Sequence, residues 1–150
     1  GLGDVYKRQL LNFAEAANEA WGNPTVKAEG CLYSAYEILK TIRSQAGGIN
    51  FDLYLDEMAQ SKDLFRKLIQ NERRLEFTFE NHRYFDMRRW VLPLNEEVEG
   101  VAVTRNEDGT FSFKVQKVEQ RKYEVKNYFM PLPYAELEKN KNLMNNQGWE

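Results

Sequence analysis

Residues 71–90, "NERRLEFTFENHRYFDMRRW", hold five arginines, four carboxylates and the only histidine of the chain. Read with what precedes it, the stretch is the end of a helix that Ser61 can cap. At 100° per residue, Phe65, Leu68, Ile69, Leu75 and Phe79 form an apolar stripe about 120° wide, and Glu72 and Glu76 fall inside it. Carboxylates four residues apart repel one another, so the arrangement needs converging cations. Arg73, Arg83 and Arg88 are the nearest in sequence, and a guanidinium fork can hold a carboxylate bidentately. Asn81 is the expected interruption, because Asn tolerates the left-handed conformation that ends helices. A further turn or two then carries Tyr84 to Trp90 until "VLP" stops it.

Three functions compete for this stretch. A glycoside hydrolase uses two carboxylates roughly 5–9 Å apart, which Glu72 and Glu76 approximate, but neighbouring arginines favour the ionised form and a general acid needs a raised pKa. A nucleic-acid surface would use the same arginines and aromatics, yet Glu76, Glu80 and Asp86 interrupt every basic patch. His82 has no second histidine or Glu-x-x-His spacing to make a metal site. The remaining reading is scaffold: Phe77, Phe79, Tyr84, Phe85 and Trp90 as core anchors, clamped by a structural ion network of Glu72, Arg73, Glu76, Arg83, Asp86 and Arg88.

Composition agrees with a single soluble core. The 150 residues are 42% hydrophobic and 29% charged with a net charge of −2, which argues against a nucleic-acid partner. No run of 18 apolar residues is present, and the single cysteine, Cys31, has no internal disulfide partner. "GLGDVYKRQ", residues 1–9, reads as an adapter scar translated in frame and is set apart from the fold, leaving residues 10–150 as the domain.

Outward from the charged stretch, "LLNFAEAANEAW" predicts a helix from Leu10 to Trp21. "EGCLYSAYEILKTIRSQAGG" predicts a second on Leu32, Ala35, Tyr36, Leu39, Ile42 and Arg43, stopped by Gly47 and Gly48, so that the two form an antiparallel pair. "INFDLYLDEMAQ" reads as an extended link. After the charged stretch the period changes to two: "VAVTR" and "TFSFKV" around "NEDG" predict a β-hairpin with Val101 and Val103 on one face and Phe111, Phe113 and Val115 on one face. Pro133 at a first helical position opens a short helix on "YAELEKN", and an Asn-rich polar end follows.

Together these segments resemble the SusD/RagB family of glycan-binding outer-membrane lipoproteins. The family's signature has the form N-E-R-R-x-E-(apolar)-x-F-E-G-H-R-(aromatic)-x-D-(apolar)-R-R-W, and Asn81 stands where Gly is usual. "LLNFAEAANEAWGN" and "AYEILKTIRSQAGG" are similar to the family's last tetratricopeptide-like helix pair. "DGTFSF" and "YFMPLPYAELEKNKNLMNNQGW" are similar to its C-terminal region, with Lys141 and Gln147 replacing two prolines of the usual ending.

The resemblance implies a mainly α fold: a superhelix of tetratricopeptide-like helical hairpins with a small β-hairpin and an irregular C-terminal region, this chain being a C-terminal part. It implies a non-enzymatic subunit without cofactor or metal. Such a subunit captures oligosaccharide and passes it to a SusC-like TonB-dependent transporter on a Gram-negative outer membrane, held there by a lipidated cysteine N-terminal to this sequence. It carries over no ligand-binding residue, although Trp21, Tyr54 and Trp149 have the chemistry to stack on a pyranose. The alternatives are a protein-binding helical module of tetratricopeptide type and a hydrolase acting through Glu72 and Glu76.

Overall fold

The computed structural model describes residues 3–48 and 51–149, and the chain divides into two compact units, Gly1–Arg83 and Tyr84–Glu150. The architecture is mainly helical with one small antiparallel sheet, as expected from the sequence.

In the first unit, α1 (Asp4–Trp21) packs against α2 (Ala35–Gly47) and α4 (Lys62–Glu76), and α3 (Leu53–Met58) packs against α2 and α4. Leu11, Ala14 and Ala17 of α1 are buried with Ile38, Leu39 and Ile42 of α2 and Phe65, Leu68 and Ile69 of α4. The alanines allow close helix approach, and each fully buried Leu, Ile or Phe contributes about 1.5–3 kcal/mol. Asn18, buried among them, donates through Nδ2 to the Lys62 carbonyl at 3.1 Å and so fixes α1 to the start of α4.

In the first unit, four boundaries differ from the sequence-based expectation. The first helix begins at Asp4 rather than Leu10, its opening turn closed by the Tyr6 and Lys7 amides on the Gly3 carbonyl, so it runs through residues that looked foreign to the fold. Gly1 and Leu2 lie outside the described residues. The second helix starts at Ala35, because Ser34 and Glu37 form a reciprocal capping box; Leu32 lies before it and is exposed. The expected extended link contains α3, capped by Asp52, whose side chain accepts from the Leu55 amide at 3.0 Å; Ile49 and Asn50, its first two residues, lie outside the described residues. Ser61 caps α4 as expected, accepting from the Leu64 amide at 3.2 Å.

The fourth difference is at the end of α4. The helix stops at Glu76, and both Phe79 (φ 69°) and Asn81 (φ 61°) are left-handed. Asn81 thus has the expected left-handed conformation, but the helix has already ended before it; Phe79 leaves the stripe and is fully exposed, and Leu75 is half exposed. Phe77 takes the core position instead, with the Arg73 guanidinium 5.3 Å from its ring centre.

In the second unit, α5 (His82–Arg89, from Tyr84 onward) leads to β1 (Glu97–Arg105) and β2 (Phe111–Gln120), followed by a 3₁₀ turn (Val125–Tyr128) and α6 (Tyr134–Lys139). The hairpin register pairs Val101 with Val115 and Val103 with Phe113. Those side chains share one face, as the period-2 pattern implies, yet that face is exposed. The turn is closed by Asn106 N–H to Thr110 O at 2.8 Å, with Gly109 at φ 84° and the Asp108 carboxylate accepting from Thr110. Val118 is the extra residue of a bulge in β2, and Gly100 on the other strand leaves room for it: a Cβ there would lie 2.7 Å from a Val118 methyl. Pro133 stands one residue before α6, as its N-cap, rather than at the first position. The Asn-rich end is pinned in place: Asn145 Oδ1 accepts from the Leu132 amide at 2.8 Å, and Asn146 Nδ2 donates to the Met130 carbonyl at 2.5 Å. Glu150 lies outside the described residues.

Candidate functional site

The charged residues of α4 are the natural first candidates. Glu72 is 4% exposed and lies on the buried face of α4 beside Ile69. Its cation is Arg43 of α2, whose Nη1 donates to Glu72 Oε1 while Nε donates to Asp52 Oδ2 at 2.5 Å. One guanidinium thereby ties α2, α4 and the cap of α3. Glu76 is met by Lys7 of α1, Nζ to Oε2 at 2.5 Å. Both partners come from helices far away in sequence, not from Arg73, Arg83 or Arg88 as their proximity suggested. The physical reason is helix geometry: residues next to Glu72 on the same helix point elsewhere, whereas α1 and α2 present their side chains to its buried stripe.

Arg73, also buried, donates to Asn12 Oδ1 at 2.7 Å. His82 packs on Phe77, ring centres 4.9 Å apart, with Nε2 3.7 Å from the Glu80 carboxylate. Arg83 is the last residue of the first unit. Asp86 and Arg88 belong to the second: buried Asp86 accepts from Arg89 Nε at 2.8 Å, while Arg88 lies 3.5 Å over the Tyr84 ring and donates to the Tyr84 and Asn127 carbonyls at 2.9 Å. Glu72, Arg73 and Glu76 therefore hold the first unit's helices, and Asp86 and Arg88 hold α5 and the 3₁₀ turn of the second.

The electrostatics of Glu72 differ from the expectation that neighbouring arginines favour its ionised form. Burial pushes the Glu72 carboxyl above its ordinary value and outweighs the opposing pull of Arg43, with Glu76 and Asp52 adding to the rise. The Asp52 carboxyl is held low by Arg43. A raised carboxyl is the property a general acid needs, but the Glu72 side chain is covered and already bound to Arg43, which leaves no approach for a substrate. No group of three or more metal-ligating side chains is present among the described residues.

The aromatic candidates are placed as follows. Trp21 is half-buried edge-on against Phe13 at 6.0 Å. Tyr54 is half exposed, with the Arg43 guanidinium 5.6 Å from its ring centre. Trp149 donates through Nε1 to the Lys126 and Phe129 carbonyls at 3.1 Å, and the Lys126 ammonium lies 5.2 Å from its ring. The last of these was invisible in sequence as a structural residue, since its partners are backbone carbonyls.

Comparison with known proteins extends this picture. No curated protein matches the chain. Among solved structures, a SusD-like protein from Bacteroides fragilis is similar at 29% sequence identity with a TM-score of 0.65, over 95% of this chain and 25% of its own length. The chain thus spans about a quarter of that relative. Its sequence matches the SusD family over residues 3–149, from the first turn of α1 to the pinned C-terminal end. A match that runs unbroken through both units, and through the Glu72 clamp and the hairpin alike, makes the chain a member of the SusD family.

Proposed function

We propose that the chain is the C-terminal part of a glycan-capturing subunit of a nutrient-uptake complex. The subunit binds oligosaccharide without cleaving it and delivers it to a SusC-like TonB-dependent transporter. It sits on the outside of a Gram-negative outer membrane, attached through an N-terminal lipidated cysteine beyond this sequence. Among the described residues no helix is long and apolar enough to cross a membrane.

The observation that carries this reading is the family match over residues 3–149. The Glu72 site supports the non-enzymatic part: a covered carboxylate bound to arginine serves stability better than acid–base chemistry. Affinity electrophoresis of the protein through gels containing amylopectin, xylan, galactomannan or inulin tests it. Retardation by one polysaccharide with no release of reducing sugar is the expected result, and turnover without retardation overturns it. Co-purification of a large β-barrel transporter without affinity for any of the four would favour the protein-binding helical module instead.

A further inference from the structure

We infer that the second unit carries a sugar-binding groove of its own, two adjoining hollows on either side of Glu124 and Val125 that take consecutive neutral pyranose rings of a glycan; the inference rests on the glycan-capture reading above. The first hollow, about 320 Å³, is walled by Val91, Pro93, Leu94, Tyr123 and Tyr128. The second, about 340 Å³, is walled by Lys126, Phe129, Gln147 and Gly148. Glu124 and Val125 line both. Each volume is at the small end of the range for small-molecule sites, which suits one sugar ring apiece.

The groove is built on a fixed frame. Asn95 pairs with the Tyr123 backbone in both directions, its Nδ2 donating to the Tyr123 carbonyl at 2.8 Å and its Oδ1 accepting from the Tyr123 amide. Tyr128 donates its hydroxyl to the Leu92 carbonyl at 2.8 Å. The Trp149 indole ties down the carbonyls of Lys126 and Phe129. Gly148 is required under this frame, since a Cβ there would lie 2.9 Å from the Lys126 Cβ. A backbone held so firmly loses little freedom when a ligand lands on the rings it carries.

The lining selects the ligand. Tyr123 and Phe129 keep exposed ring surface, the kind of apolar face on which the C–H side of a pyranose stacks. Glu124 offers carboxylate oxygens and Gln147 a carboxamide to sugar hydroxyls. The Lys126 ammonium at the groove lies 3.1 Å from Glu124 and over the Trp149 ring, so its charge is offset and an acidic sugar gains little there.

A strained backbone at the mouth of the first hollow points the same way. Val91 is left-handed, φ 52°, and 70% exposed. Its amide donates to the Arg88 carbonyl and the Leu92 amide to the Met87 carbonyl, the pattern that closes a helix with glycine in the left-handed place. A β-branched residue there is a true outlier. Strain of this kind gathers at functional sites, and at this position the valine supplies a wall that glycine would remove.

The test is a calorimetric titration of the full chain with maltohexaose, xylohexaose, mannohexaose and cellohexaose. The wild type should bind at least one of them, with Tyr123→Ala and Phe129→Ala each weakening that binding about tenfold and Tyr123→Phe, which keeps the ring, restoring it. Neither residue belongs to the buried core, Tyr123 being 40% and Phe129 62% exposed, so circular dichroism should be unchanged in the variants. If a hexasaccharide binds and every variant matches wild type, the groove is wrong while glycan capture stands. If none of the four binds, the groove is wrong, while glycan capture by the whole subunit is decided by the polysaccharide electrophoresis above.

Discussion

Arg43 and Glu72, 29 residues apart in sequence, form the contact that locks α2 to α4, and Arg43 reaches Asp52 at the cap of α3 with its other edge. Replacing Arg43 by Ala leaves Glu72 buried without its cation. Removing one partner of a buried pair costs about 3–5 kcal/mol, and because the Arg43 side chain is slightly exposed the loss should fall near the lower figure. Arg43→Lys cannot serve both carboxylates from one point charge and should lose an intermediate amount. Urea unfolding followed by far-ultraviolet circular dichroism measures this; an Arg43→Ala variant as stable as wild type would sink the clamp.

The raised carboxyl of Glu72 gives that clamp a pH dependence. Its pKa in the folded chain lies above the ordinary 4.5 because of burial, so the native state holds the proton more strongly than the unfolded state. The associated stability is fully present below 4.5 and is lost as pH rises through the folded value. Glu72→Gln removes this dependence. The stability of wild type relative to Glu72→Gln should therefore be greater at pH 4 than at pH 7, as read from paired thermal melts; a gap that widens with rising pH contradicts it.

Sequence reasoning found the elements whose signals are local. The caps Ser61 and Gly48, the Glu72 position on the stripe, and the hairpin with its Asn106–Thr110 turn all depend on neighbours within a few residues. It missed α3, since six residues give under two turns of periodicity, although Asp52 was a readable cap. It extended α4 to Phe79 because hydrophobicity continued on the right face after the backbone had turned left-handed. It chose the wrong cations for Glu72 and Glu76 because Arg43 and Lys7 meet α4 only through tertiary packing. The hollows beside Glu124 gave no signal, being built from residues 91–95, 123–129 and 147–148, which only the folded second unit brings together.

A second ion pair in the first unit should behave with the opposite sign. Arg66 of α4 grips Glu19 of α1 with both edges, Nε to Oε1 at 2.5 Å and Nη2 to Oε2 at 2.7 Å, and holds the Glu19 carboxyl down at about 2. Its stability is present above 4.5 and is lost as pH falls toward 2. The pair is more than a third exposed, so its worth is that of a surface bridge, under about 1 kcal/mol. Arg66→Ala should lower stability slightly at pH 7, less so in high salt, and should match wild type near pH 2. An effect as large as that of Arg43→Ala would mean that the pair is far better shielded than its exposure indicates.

The strained Val91 separates stability from binding. Glycine at this position adopts the left-handed conformation freely, removing roughly 1–2 kcal/mol of strain while giving back part of that through the greater freedom of the unfolded chain. Val91→Gly should therefore be more stable than wild type by about 0.5–1 kcal/mol, visible as a higher urea midpoint with unchanged slope. The same substitution strips a wall from the first hollow and should weaken hexasaccharide binding. A variant that gained stability and kept full affinity would show the valine to be an unselected defect of the α5 terminus; one that lost stability would show that the Val91 side chain contributes more packing than its 70% exposure allows.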